Sequence, residues 1–219
     1  MSKRLGARLR LLAALLIAFV LTRPALACHG ANVKLQDDFT SASFGIWASD
    51  DDFSIASGRL RLRPTAGSLA LVIDKGDLFD DVDICVDVTV PEARNTDAAR
   101  GGLVFWFDND ENAPPGLGYK FYAFELTPDG RAGITRVDRG KSLSPVPLRK
   151  ADGFRAGAGA ANTLRVTLKG REGTAYVNDM PVFSFQGDPP LGGANIGLFG
   201  RSEPLAANIW TFANIKVTN

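Results

Sequence analysis

The chain carries one histidine, His29, beside the end of an apolar leader. Serine–histidine, cysteine–histidine and histidine-ligated zinc chemistry therefore have no partner residues in the body of the sequence. What remains for proton transfer is carboxylate chemistry. Glu125 stands mid-strand among aromatics and is the best single acid. Asp108 and Asp110 belong to the acidic stretch Asp108-Asn109-Asp110-Glu111 of the loop that leads into the same strand. If the protein is an enzyme, Glu125 with Asp108 or Asp110 is the acid/base pair. The same stretch offers oxygen ligands for calcium, although its spacing is not that of an EF-hand loop and a solvated loop is the plainer reading.

A second chemistry is recognition. Trp106, Tyr119 and Tyr122 put three aromatic rings close together, and Arg100, Asn109 and Lys120 put hydrogen-bonding groups beside them. Apolar sugar faces stack on such rings while the polar groups bond hydroxyls. The plainer alternative is that these rings are core. The two differ in one observable: a stacking Trp106 must be partly exposed.

These residues sit in three consecutive expected strands, Gly102–Phe107, Tyr119–Leu126 and Arg131–Val137. Side chains alternate across a strand. Leu103, Phe105 and Phe107 should share one face, with Val104 and Trp106 on the other. Tyr122, Phe124 and Leu126 oppose Tyr119, Phe121, Ala123 and Glu125. Both faces are apolar, as in a sheet covered on both sides. Thr127-Pro128-Asp129-Gly130 is a tight turn. The acidic, then Pro- and Gly-rich link Asp108–Gly118 is a surface loop at one end of that sheet.

Elsewhere the pattern repeats. Phe53–Ala56 and Arg59–Arg63 flank Ser57-Gly58 as a hairpin, with Leu60 and Leu62 inward. Asp81–Val90 alternates, placing Val82, Ile84, Val86, Val88 and Val90 inward and Asp83, Cys85 and Asp87 on a solvent face. Asp138–Ala161 reads as a long connection, because Pro145 and Pro147 exclude a central strand. Asp50-Asp51-Asp52 reads as a solvated turn. About a dozen short strands with regular turn signals argue for two antiparallel sheets packed face to face.

The first 27 residues stand apart. Lys3, Arg4, Arg8 and Arg10 precede the apolar run Leu11–Leu21, and Ala25-Leu26-Ala27 fits a cleavage site. The run is short of the ~20 residues that span a bilayer. A secreted or periplasmic domain of residues 28–219 is expected, with no membrane span. The formal charge of +1 includes five leader cations, so the domain carries −4. No basic run exists, which argues against nucleic acid and favours neutral or cationic ligands. Two cysteines remain, Cys28 and Cys85. An oxidising compartment permits a Cys28–Cys85 disulfide; free thiols and acylation of Cys28 stand beside it.

A series of segments carries a family resemblance: Asp37-Asp38-Phe39, Tyr122–Gly130, Asn162–Val166, Ala175–Asp179, Gly193–Phe199 and Phe212–Val217. Together they resemble the concanavalin A-like lectin/glucanase superfamily, closest to its laminin-G-like and 3-keto-disaccharide hydrolase branch. The resemblance implies an all-β jelly-roll sandwich over residues 35–219, with a face where carbohydrate often binds. It leaves three functions open: a lectin-like carbohydrate-binding module without catalysis, a carbohydrate-active hydrolase or lyase, and a laminin-G-like protein-interaction domain. The Glu-x-Asp-x-Glu strand motif of related glycoside hydrolases is absent, since none of the five glutamates is followed two residues later by Asp. A retaining mechanism needs two carboxylates about 5 Å apart on one face. Ala213 stands where many members carry an Asp that in some helps hold calcium. No other cofactor is expected.

Overall fold

The computed structural model describes residues 28–40, 47–48, 53–74, 76–114 and 117–219. The leader and the Asp50-Asp51-Asp52 run lie outside the described residues. All regular structure among the described residues is strand, numbered β1 to β15 in chain order. No helix there is long and apolar enough to cross a membrane.

The first sheet runs β13 (Met180–Gln186), β12 (Glu172–Val177), β11 (Ala161–Lys169), β6 (Val82–Thr89), β15 (Trp210–Thr218), β4 (Leu60–Leu62) and β3 (Phe53–Ile55), with β1 (Val33–Asp37) also paired to β15. The second runs β10 (Lys141–Lys150), β9 (Arg131–Asp138), β8 (Tyr119–Leu126), β7 (Arg100–Asn109), β14 (Asn195–Arg201), β5 (Leu69–Asp74) and β2 (Trp47–Ala48). Neighbours are antiparallel throughout.

Alternation builds the core. Val82, Ile84, Val86 and Val88 of β6 face Leu103 and Phe105 of β7 and Tyr122, Phe124 and Leu126 of β8, all within one buried cluster. Trp210 is fully buried between the sheets. Gly101 leaves room for its indole, because a Cβ there would overlap the ring. The tight turns fall where expected. Ser57-Gly58 and Asn178-Asp179 both take the left-handed backbone that two-residue hairpins need.

Three expectations are corrected. The solvent face of β6 is covered at its centre: Asp83 and Cys85 are buried, because the N-terminal segment is joined there by a Cys28–Cys85 disulfide with Cα atoms 5.7 Å apart. Asp83 also accepts from Arg165 Nε at 2.8 Å and from the His29 backbone N–H at 3.1 Å. The connection after β9 is itself a ten-residue strand, β10. It lies at the sheet edge, and its pairing with β9 slips around Pro145 and Pro147, which have no N–H to donate. The third correction concerns Trp106 and shapes the site.

Candidate functional site

Strict alternation fails at Trp106. Phe105 pairs with Tyr122 and Asp108 with Lys120, so two β7 residues stand opposite one residue of β8. This is a β-bulge, and its register breaks against β14 as well. Trp106 takes φ 51°. Phe105 and Trp106 therefore both face the inter-sheet core, while Phe107 swings to the outer face with Val104, Phe121 and Phe199. Left-handed backbone in a bulky residue costs on the order of 1–3 kcal/mol and persists only where packing over-determines it. The packing is aromatic: the indole meets Phe105, Tyr122 and Phe185 edge-on, with centroids 5.3, 5.0 and 6.1 Å away.

Trp106 is 3 % exposed and Tyr122 4 %. Neither presents a ring face to a sugar, so stacking on these two is withdrawn. They form the floor of the site instead. Tyr119 is different. It is 41 % exposed, at the start of β8, with its ring 5.8 Å from Phe107. Asn109 pairs with it across the strands, and the next pair is Asp108 with Lys120.

The bulge also shapes two shallow clefts that share Trp106, Pro189 and Pro190. The first, about 180 Å³, is lined by Asp108, Lys120, Tyr122, Arg136 and Asp188. Tyr122 Oη accepts the Asp188 backbone N–H at 3.1 Å. Arg136 bonds Asp188 at 3.0 Å and Asp138 at 2.9 Å, and Arg171 bonds Asp188 at 2.5 Å. Partial burial opposes the Arg136 charge, but Tyr122, Asp138 and Asp188 outweigh it and raise its pKa. Asp188 is thereby neutralised twice, and the loop bearing Pro189 and Pro190 is held over Trp106. The second cleft, about 210 Å³, has Phe79, Ala194, Pro190 and Leu191 as walls and Asp80 and Asp81 at its rim. Backbone bonds between Phe79 and Ala194, 2.9 and 3.0 Å, tie its two sides together.

The expected acid/base pair does not assemble. Asp108 lies opposite Lys120, five residues along β8 from Glu125, which is roughly 17 Å at strand rise. Catalytic carboxylate pairs sit about 5 to 9.5 Å apart. Asp110 lies further off, in the loop, where its Oδ1 accepts the Asn112 N–H at 3.1 Å. Glu125 is buried and bonded to Arg100 Nη1 at 2.9 Å. Arg100 and Glu125 thus form an ion pair at the far end of the sheet, away from Tyr119 and Lys120. Both leave the site.

Asn214, beside Ala213, donates from its side chain to Asp87 at 2.8 Å. Among the described residues the one close group of Cys, His, Asp or Glu ligand atoms is Cys28, Asp83 and Cys85, whose atoms are committed to the disulfide and to Arg165.

Sequence reasoning did not find Arg136, Arg171, Asp188, Pro189, Pro190 or Asp80 as site residues. Gly187-Asp188-Pro189-Pro190 directly after an aromatic strand was the available signal.

No family model and no curated protein sequence matches the chain. Solved structures do. The carbohydrate binding module CBM66 from Bacillus subtilis superposes with a TM-score of 0.60 at 13 % identity, over 79 % of this chain and 95 % of that one. The Bacillus licheniformis beta-glucanase gives 0.65 at 11 %, over 84 % and 97 %. The Emp47p carbohydrate recognition domain gives 0.59 at 18 %, over 84 % and 93 %. A carbohydrate binding module, a beta-glucanase and a carbohydrate recognition domain thus share this architecture, which is the concanavalin A-like jelly-roll sandwich.

Proposed function

We propose that the protein is an exported carbohydrate-binding module without catalytic activity, and that sugar docks at the end of the second sheet where β7 and β8 join. One observation carries this reading. Tyr119 is the exposed aromatic among the described residues, and Asn109 lies opposite it across the strands on the same face. An exposed ring with flanking donors and acceptors is what a sugar's apolar face and hydroxyls require. The separation of Glu125 from Asp108 supports binding over turnover, and the resemblance to binding modules and lectins supports sugar as the ligand class. The leader supports export.

A glycan array probed with purified residues 28–219 tests this. Binding to a restricted set of glycans, lost in Tyr119→Ala with the near-ultraviolet circular dichroism unchanged, is the expected result. Binding that survives Tyr119→Ala would move the site elsewhere.

A further inference from the structure

We infer that the second cleft, on the Phe79 side of Pro190, is a subsite for a positively charged saccharide unit, an amino sugar with a free ammonium group. This rests on the carbohydrate-binding reading and extends it.

Asp188 is ion-paired to Arg136 and Arg171, and Asp138 to Arg136. Asp81 accepts one bond, from the Gly170 backbone N–H at 2.6 Å through Oδ1. Asp80 is exposed and, among the described residues, neither it nor Asp81 is ion-paired to any Lys, Arg or His. The cleft is therefore an apolar hollow with the unpaired Asp80 carboxylate at its rim, while Asp81 is shared with a neighbouring hollow that Lys169 also lines.

Each part of that arrangement selects. The walls that reach solvent, Pro190 and Leu191, take an apolar ring face above a floor of buried Phe79. The carboxylates favour a cation, and they disfavour uronic acids and sulfated sugars by like-charge repulsion. The domain's charge of −4 without its leader acts in the same direction at longer range. At about 210 Å³ beside about 180 Å³, each cleft holds a fragment of roughly one sugar ring rather than a whole oligosaccharide. The shared Pro189 and Pro190 place the two as neighbours.

Calorimetric titration of the purified protein at pH 6 with three probes tests this: a glucosamine tetramer, its fully N-acetylated form and a neutral glucose tetramer. The glucosamine tetramer should bind about three- to tenfold more tightly than the other two. That preference should vanish in Asp80→Asn and shrink with added salt. Asp80 is on the surface, so the variant should keep the fold; Asp81→Asn serves as a second probe of the same rim. Equal affinity for all three probes would overturn the cationic subsite while leaving carbohydrate binding intact. Binding of none of them, across a wider glycan panel, would overturn both. Capture of lysine-rich peptides with no saccharide bound would assign the cleft to a protein partner and overturn this proposal.

Discussion

Gly187 lies against the indole of Trp106 in the space a side chain would fill. A Cβ there would overlap the ring and stand 3.0 Å from Tyr122 Cζ. The residue that follows β13 thus closes over the bulge of β7, and the Asp188–Pro190 loop begins at that contact. The floor of both clefts depends on this closure.

Gly187→Ala should therefore strain the floor. The expected loss is about 1–3 kcal/mol of stability, the usual cost of overpacking a filled core. Urea denaturation reads it. Affinity for sugar should fall in the same variant, because Trp106 and Tyr122 must shift and the loop moves with them. An unchanged midpoint would contradict the tight packing.

Tyr119→Ala should separate binding from stability. The ring is exposed and touches Phe107 alone among the aromatics. Stability should change by no more than about 0.5 kcal/mol. Affinity should drop about two- to tenfold, the worth of one aromatic stacking contact. Calorimetry and denaturation on the same preparation measure both.

Asp74 gives a pH signature. It ends β5 with 0 % exposure; Oδ1 accepts the Gly76 N–H at 2.8 Å, and among the described residues Oδ2 has no hydrogen-bond partner. Burial raises its pKa above 3.8, the Gly76 bond opposes this, and Asp77 and Asp37 add to it. A carboxyl with a raised folded pKa favours the fold while protonated, and that contribution is lost as pH rises through the folded value. Asp74→Asn does not ionise. It should be about 1–3 kcal/mol more stable than the wild type at pH 7, with the gap closing as pH falls toward 3.8. Denaturation curves at pH 7 and pH 4 check the sign. A gap independent of pH would contradict it.

Glu203 should show the opposite slope. Its carboxylate accepts the Asn95 N–H at 2.6 Å and the Arg94 N–H at 3.3 Å, clamping the segment after β6. The Asn95 bond leads in lowering its pKa below 4.5, against a smaller effect of burial. The stability it contributes is present above 4.5 and is lost as pH falls through the lower folded value. Glu203→Gln should melt a few degrees below the wild type at pH 7, with the difference narrowing in acid. Thermal melts across that range provide the check.

The sheets were legible wherever period-two alternation runs unbroken. Val82 to Val88, Tyr122 to Leu126 and the pair Leu60 and Leu62 all face the core as their spacing requires. Trp106 was misplaced because a bulge adds one residue without any mark in composition, and the alternation beyond it inverts. Strand β10 was missed because its two prolines argue against pairing, whereas an edge strand pairs on one side only. The site was half legible. Asp108, Asn109, Tyr119 and Lys120 come from one hairpin and were adjacent in the sequence. Arg136, Asp188 and Asp80 arrive from three other segments, and only the fold brings them to the same end.

Native mass spectrometry of residues 28–219 with a broad oligosaccharide panel, 3-keto-glycosides included, tests the central claim most directly, because one spectrum shows both complexes and products. The account predicts protein–saccharide complexes in which every bound sugar keeps its full mass. New, shorter saccharides would contradict it by showing turnover, and spectra without any complex would contradict carbohydrate as the ligand.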